Sequence, residues 1–248
     1  ARRLKDLRRV GPAFSGPPAI QWLAGRHLLA AAHPAVVRDL TAPLTVRLAR
    51  RVAAEFPGVA SAAREIADAA ASEGFPWPER IAGFREPPDP GDAPHAPLFH
   101  FLLLRALAAP AAHLARSFSP PHPDRWPVRA CPFCGVPPAA SVARPGGERT
   151  LLCVLCGGRW TVDGLHCPTC GEDRADRLRA LANRDAGPAT LEGCDSCGHA
   201  VKVFSDPALV AGPPLAMELL TIRLDVVAAR DEGLRRHPLA LAAVYPPD

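Results

Sequence analysis

Apolar residues recur at three-and-four spacing through Leu48, Val52, Phe56, Val59, Ala63, Ile66 and Ala70, which predicts a helical face turned toward a core. Pro57-Gly58 interrupts that stripe and divides it into two helices. The wider stretch from Pro18 to Phe75, rich in alanine, leucine and arginine, is predicted to be helical. Between Phe75 and Pro97 seven prolines and no clear period predict a long loop. Leu98 to Ala109 is densely apolar, broken only by His100 and Arg105; twelve residues are too few to span a bilayer, so a buried core helix is expected. Toward the C-terminus Leu215, Leu219, Ile222, Val226 and Ala229 repeat the helical spacing, with Leu220, Leu224 and Val227 widening the stripe. A wide stripe predicts a helix packed on something substantial, and the N-terminal helices are the nearest candidate.

Between these flanks the period shortens. Ala139–Ala143 and Arg149–Leu152 enclose Pro145-Gly146-Gly147, a hairpin pattern, and Arg159–Val162 supplies a third extended piece before Asp163-Gly164 turns the chain. The plan then repeats: Arg177–Ala182, a turn at Asp185-Ala186-Gly187, a return over Ala189–Glu192, and the strand Ala200–Phe204.

All eight cysteines lie in this repeated region, as four Cys-x-x-Cys pairs each followed by glycine: CPFCG (Cys131, Cys134), CVLCG (Cys153, Cys156), CPTCG (Cys167, Cys170) and CDSCG (Cys194, Cys197). A Cys-x-x-Cys loop that wraps a metal ion commonly places its next residue in a left-handed conformation, which glycine adopts without steric cost. Pro132 and Pro168 stiffen two of the loops. Two knuckles supply four thiolates, a closed structural site with no position for water. The hairpins pair the first knuckle with the second and the third with the fourth, an interleaved pairing being the alternative. The candidate ligands are therefore Cys131, Cys134, Cys153 and Cys156 for one ion, and Cys167, Cys170, Cys194 and Cys197 for the other. Spacing permits iron or zinc equally. Disulfides and a redox-active dithiol are the competing readings. Four repeats with turn glycines weigh against a dithiol, and no signal-peptide run follows the opening ARRLKDLRRV, so a reducing, cytoplasmic setting is expected.

Composition sets outer bounds. At 248 residues and 48% apolar content the chain can bury an ordinary core, whereas ribbons this small fold mainly through their metal. The formal charge of +4 hints at nucleic acid, yet two divalent ions in four-thiolate sites would carry about −2 each and cancel it. The basic run Arg2, Arg3, Lys5, Arg8 and Arg9 reads as a solvated helix face or terminus. His166 and His199 flank knuckles and are expected at the surface, Trp160 is expected in the core or over the sulfurs, and Glu172 and Asp173 in a solvated loop. Neither a phosphate loop nor a Ser/His/Asp pattern is apparent.

The segments RWPVRACPFCGVPPAASV, RTLLCVLCGGRWTVDGLHCPTCGE and EGCDSCGHAVKVF, followed by a helix ending DEGLRRHPLAL, resemble the formate dehydrogenase accessory proteins of the FdhE type. The likeness covers Arg125 to Leu241 and includes Trp160 and Lys202. Glu218 and Asp225 partly match acidic residues of that family's last helix, and Leu234 stands where the family has tyrosine. The resemblance implies an α+β protein with an N-terminal α-helical domain (1–126), two tandem rubredoxin-like, zinc-ribbon-like modules (127–166 and 167–206) and a C-terminal helix and tail (207–248). It implies an accessory or assembly factor, not an enzyme, that binds the catalytic subunit of formate dehydrogenase in the cytoplasm, with no nucleic acid, no membrane insertion and self-association left open. A nucleic-acid-binding zinc-ribbon protein and a thiol redox protein remain the alternatives.

Overall fold

The computed structural model describes residues 26–234 apart from 33, 86–87, 89–92, 122–125, 127–129, 144–146, 165, 182–188, 213 and 232. The basic N-terminal run and the tail beyond Leu234 therefore lie outside the described residues, as do most of the two hairpin turns. The helical part comprises α1 (Leu28–Ala31), α2 (Pro34–Glu55), α3 (Ala60–Ala71), α4 (Trp77–Ala82) and α5 (Ala96–Ser117). Among the described residues six strands follow: β1 (Ala140–Ala143), β2 (Arg149–Leu152), β3 (Arg159–Val162), β4 (Leu178–Leu181), β5 (Ala189–Cys194) and β6 (Ala200–Phe204). Helices α6 (Pro214–Leu220) and α7 (Ile222–Arg230) close the described chain, giving the expected α+β architecture.

Pro57-Gly58 divides the first helical stripe, through a 3-10 turn at Pro57–Val59. Helix α2 buries Val37, Thr41, Thr45 and Ala49, and α3 buries Ala63, Ile66, Ala67 and Ala70. Phe56 and Val59, placed on the buried stripe by their spacing, are exposed, because the turn rotates them away from the shared face. The proline-rich stretch after Phe75 is not loop throughout. Pro76 and Pro78 sit at the start of α4, where a missing N–H costs nothing, and Trp77 is buried against Phe75 and Phe99.

Helix α5 is longer than the apolar run suggested and continues through Pro110. At 22 residues it is long and apolar enough to cross a bilayer, so the argument from length fails. Its assignment to the core rests instead on the burial of Leu102, Leu103, Leu104, Ala106, Leu107, Pro110, Ala111 and Leu114. Each fully buried leucine of this kind stabilises by about 2 kcal/mol.

All six strands form one sheet, ordered β3-β2-β1-β6-β5-β4. Each ribbon contributes an antiparallel set. The two sets join where β1 runs parallel to β6, with Ala140, Ser141 and Val142 opposite Lys202, Val203 and Phe204. The α-helical face and the sheet share one core, in which Leu103, Leu104 and Leu107 of α5 lie with Leu151, Trp160, Leu191, Phe204, and Met217, Leu224 and Ala228 of α6–α7.

The C-terminal helices present a different face from the one their apolar spacing predicts. Met217, Glu218, Thr221, Leu224, Asp225 and Ala228 are buried, while Leu219, Leu220 and Ile222 are exposed. The cause is Lys202, in the middle of β6, which is itself buried. Its ammonium donates to Glu218 Oε2 at 3.1 Å and to Asp225 Oδ2 at 2.9 Å, so the acidic face turns inward. A buried lysine without carboxylate partners would cost more than the leucines gain outside.

Candidate metal centres

Each knuckle closes with the same two backbone bonds. The amide of the following glycine donates to the carbonyl of the first cysteine, from Gly135 to Cys131, Gly157 to Cys153, Gly171 to Cys167 and Gly198 to Cys194, at 2.7 to 3.0 Å. The first cysteine's own amide donates to the residue five positions on, at 2.7 to 3.0 Å: Val136, Gly158, Glu172 and His199. All four glycines have φ between 69° and 86°, the left-handed region that their position after the second cysteine predicts.

The hairpins bring the knuckles together in the sequential pairing. Cys131, Cys134, Cys153 and Cys156 form one cluster, and Cys167, Cys170, Cys194 and Cys197 the other, with the sulfurs of each cluster within 4.8 Å of one another. In the first, sulfur separations are 3.5 Å for Cys131–Cys156, 3.4 Å for Cys134–Cys153 and 3.7 Å for Cys134–Cys156. In the second, Cys167–Cys197 and Cys170–Cys194 are each 3.7 Å apart. Four sulfurs about 2.3 Å from a common ion, arranged as a tetrahedron, lie about 3.8 Å from each other. Disulfide sulfurs would be about 2.05 Å apart. The donor set therefore fits a tetrahedral thiophilic ion, iron or zinc, in each cluster.

Burial pushes the Cys131 and Cys134 thiols well up, while Cys153 is pulled well below its usual range because hydrogen bonds from Cys131, Cys134 and Cys156 outweigh its own burial. In the second cluster burial raises Cys167 and Cys197, whereas backbone and thiol hydrogen bonds lower Cys170 despite its small burial. Burial thus disfavours the charged form of Cys131, Cys134, Cys167 and Cys197, and a bound cation would be needed to hold all four sulfurs of a cluster as thiolates.

The helical part docks directly on the first cluster. The first amides of a helix lack intrahelical partners. In α1, Leu28 N donates to Pro132 O at 3.0 Å and Leu29 N to Phe133 O at 2.8 Å, both carbonyls inside the first knuckle. Ala30 N donates to His27 Nδ1 at 3.2 Å, an N-cap that keeps the imidazole neutral. Burial first, and then the Arg85 charge, push His27 down to about 4.

His199 is buried rather than at the surface, its Nε2 3.2 Å from Pro138 O, so it ties the fourth knuckle to the first ribbon. His166 is half-buried, and Trp160 is a core residue. Glu172 is not simply solvated: it accepts from Arg174 and from Ser196 of the fourth knuckle, while Asp173 is exposed. Spacing gave no sign of the Lys202–Glu218–Asp225 cluster, of His27 as a cap, or of a pair between Arg149 and Glu192. The available signals for the first of these were a lysine inside the otherwise apolar AVKVF strand and the match of Glu218 and Asp225 to acidic residues in the resemblance.

A helical domain packed on a single sheet that carries two four-cysteine knuckle pairs defines a tandem rubredoxin-like ribbon protein. No protein-family model matches the chain. It is 34% identical over 122 residues to a Protein FdhE homolog of Pseudomonas aeruginosa, covering 46% of this chain and 39% of that one. It is also 34% identical over 98 residues to a Protein FdhE homolog of Shewanella baltica (38% and 32% covered) and over 112 residues to Protein FdhE of Salmonella arizonae (43% and 35%). The alignments thus span less than half the length of these curated relatives. The crystal structure of the FdhE protein from Pseudomonas aeruginosa matches with a TM-score of 0.62 at 24% identity, over 92% of this chain and 80% of that one, and so has the same fold. The chain is thus similar to FdhE proteins in sequence over less than half of its own length, and to one of them in fold over most of it.

Proposed function

We propose that this chain is an accessory factor for the maturation or activity of formate dehydrogenase, which binds the catalytic subunit of that enzyme in the cytoplasm and holds two metal ions without catalysing a reaction itself. The observation that carries this reading is the pair of closed four-sulfur clusters on one sheet in a chain similar to FdhE proteins in sequence and fold. Cys131, Cys134, Cys153 and Cys156 would hold one ion, and Cys167, Cys170, Cys194 and Cys197 the other. An iron or zinc ion bound there would cross-link two knuckles, and iron would in addition supply one-electron chemistry. Four protein sulfurs leave no coordination position for substrate or activated water, which favours a binding role over hydrolysis.

A nucleic-acid ribbon is less well supported. The strand side chains of β1 and β2 are mostly buried, so they offer no basic and aromatic face for bases and phosphates.

A tagged full chain recovered from native cytoplasm, with metal analysis of the same preparation, tests the reading. Co-purification of a formate dehydrogenase catalytic subunit with metal-loaded chain supports it. A metal-loaded chain that recovers no such subunit contradicts it.

A further inference from the structure

The two clusters share one knuckle design but not one environment. Cys131, Cys134, Cys153 and Cys156 are no more than 5% exposed, and all four belong to the main apolar core. Phe133 lies so close over the second knuckle that a Cβ on Gly158 would sit 2.5 Å from its ring and 3.1 Å from Cys156 Sγ. The His27 ring closes on Gly135, and α1 is hydrogen-bonded to the first knuckle's carbonyls. A sulfur of this cluster can leave its neighbours only if core and helix open with it.

The second cluster stands at the edge. Cys167 and Cys194 are buried, but Cys197 is half-buried and Cys170 is exposed. Among the described residues, the main apolar cluster that takes in the first four cysteines does not extend to these. Asp195 and Ser196, inside the fourth knuckle, are exposed, and the bond from Ser196 to Glu172 crosses between the two loops. Cys170 can therefore swing into solvent without disturbing a packed side chain.

We propose, resting on the metal-binding reading above, that the second cluster is an exchangeable metal site whose ion passes to and from small thiolate or aminocarboxylate donors on the Cys170 side, whereas the first cluster retains its ion. Exchange at a four-coordinate thiolate ion needs an incoming donor atom to reach the metal and a sulfur to depart. At the second cluster the incoming donor bonds to the ion, the bond to Cys170 breaks, and the freed thiolate takes a proton from water. No electron changes hands, and reloading is the same step reversed. The first cluster offers neither an approach nor a departing ligand.

The test uses the full chain loaded with zinc to two ions per chain, challenged with excess EDTA, with loss followed by metal analysis of desalted protein. The expected result is two phases, one equivalent leaving at least tenfold faster than the other. Iodoacetamide added during the fast phase should label Cys170 before any cysteine of the first cluster, as read by peptide mass spectrometry. Cys170→Ser should abolish the fast phase and leave the slow one. Release of both ions in a single phase, or first labelling in the Cys131–Cys156 cluster, overturns the proposal. The labelling order on the unsubstituted chain decides the matter even if a substituted chain fails to fold. A chain that cannot be loaded beyond one zinc contradicts the metal-site reading itself, which separates that failure from failure of the exchange proposal.

Discussion

Arg149 on β2 and Glu192 on β5 meet in a two-pronged ion pair, Nη1 to Oε2 at 2.6 Å and Nη2 to Oε1 at 3.0 Å. Strands β1 and β6 lie between them in the sheet, so the pair spans the parallel seam and clasps the first ribbon to the second. The arginine is the more deeply buried partner, its side chain 8% exposed against 31% for the glutamate. Bidentate geometry of this kind is stronger than an ordinary surface ion pair.

Arg149→Met should therefore lower stability by about 1–3 kcal/mol, with a similar loss for Glu192→Gln. The two losses should not add in the double variant. Thermal unfolding of the four proteins, all metal-loaded, measures the coupling; strict additivity would mean that the clasp contributes nothing.

Lys202 is the second long-range tie. Lys202→Met leaves Glu218 and Asp225 buried without their cation, a loss of about 3–5 kcal/mol. Burial raises both carboxyls, and Lys202 opposes that shift. Without the lysine both should titrate higher still. A group with a raised folded pKa contributes stability below its unfolded pKa and loses it as pH rises through the folded value. The deficit of Lys202→Met should thus shrink as pH falls toward the ordinary carboxyl range. Urea unfolding of parent and variant at pH 7.5 and 5 provides the comparison, and a deficit that grows on acidification would refute the inward-facing acidic cluster.

His27 makes the opposite prediction for the parent chain. Its folded pKa is depressed to about 4, so the neutral ring is favoured in the fold, and stability falls as pH drops below the unfolded value. From pH 7.5 to 5 that amounts to about 2 kcal/mol. His27→Asn keeps a cap oxygen for Ala30 N and removes the titration, so the difference between parent and variant should vary with pH by about that amount. A pH-independent difference would show that His27 does not titrate with folding.

Two glycines separate backbone strain from close approach. Gly135 and Gly147 both have positive φ, at 76° and 88°. A Cβ on Gly135 would stand 2.3 Å from the His27 ring, whereas one on Gly147 meets nothing within 4 Å. Gly147→Ala should cost about 1–2 kcal/mol for the conformation alone, and Gly135→Ala clearly more. Equal shifts in melting temperature would mean that α1 does not sit on the first knuckle.

What the sequence made legible was local. The turn glycines follow from the Cys-x-x-Cys loop itself, and Arg149–Leu152, Arg159–Val162 and Ala200–Phe204 are strands over the very residues their patterning marks. The cysteine pairing followed from hairpins only a few residues long. The parallel joining of β1 to β6 links residues some sixty positions apart, and nothing in either strand's alternation names its partner. The apolar run Leu98–Ala109 understates helix α5, because the packing of Ala111 and Leu114 carries the helix past Pro110. The last helices face the opposite way from their apolar spacing because the buried charge of Lys202 outranks the exposed side chains of Leu219, Leu220 and Ile222.

The most direct test of the account is metal-edge X-ray absorption on the purified full chain, with the metal-to-protein ratio measured on the same sample. Two ions per chain, each surrounded by four sulfurs at about 2.3 Å, is the predicted result. Nitrogen or oxygen in the first coordination shell, or a folded chain whose cysteines are disulfide-bonded and metal-free, would contradict it.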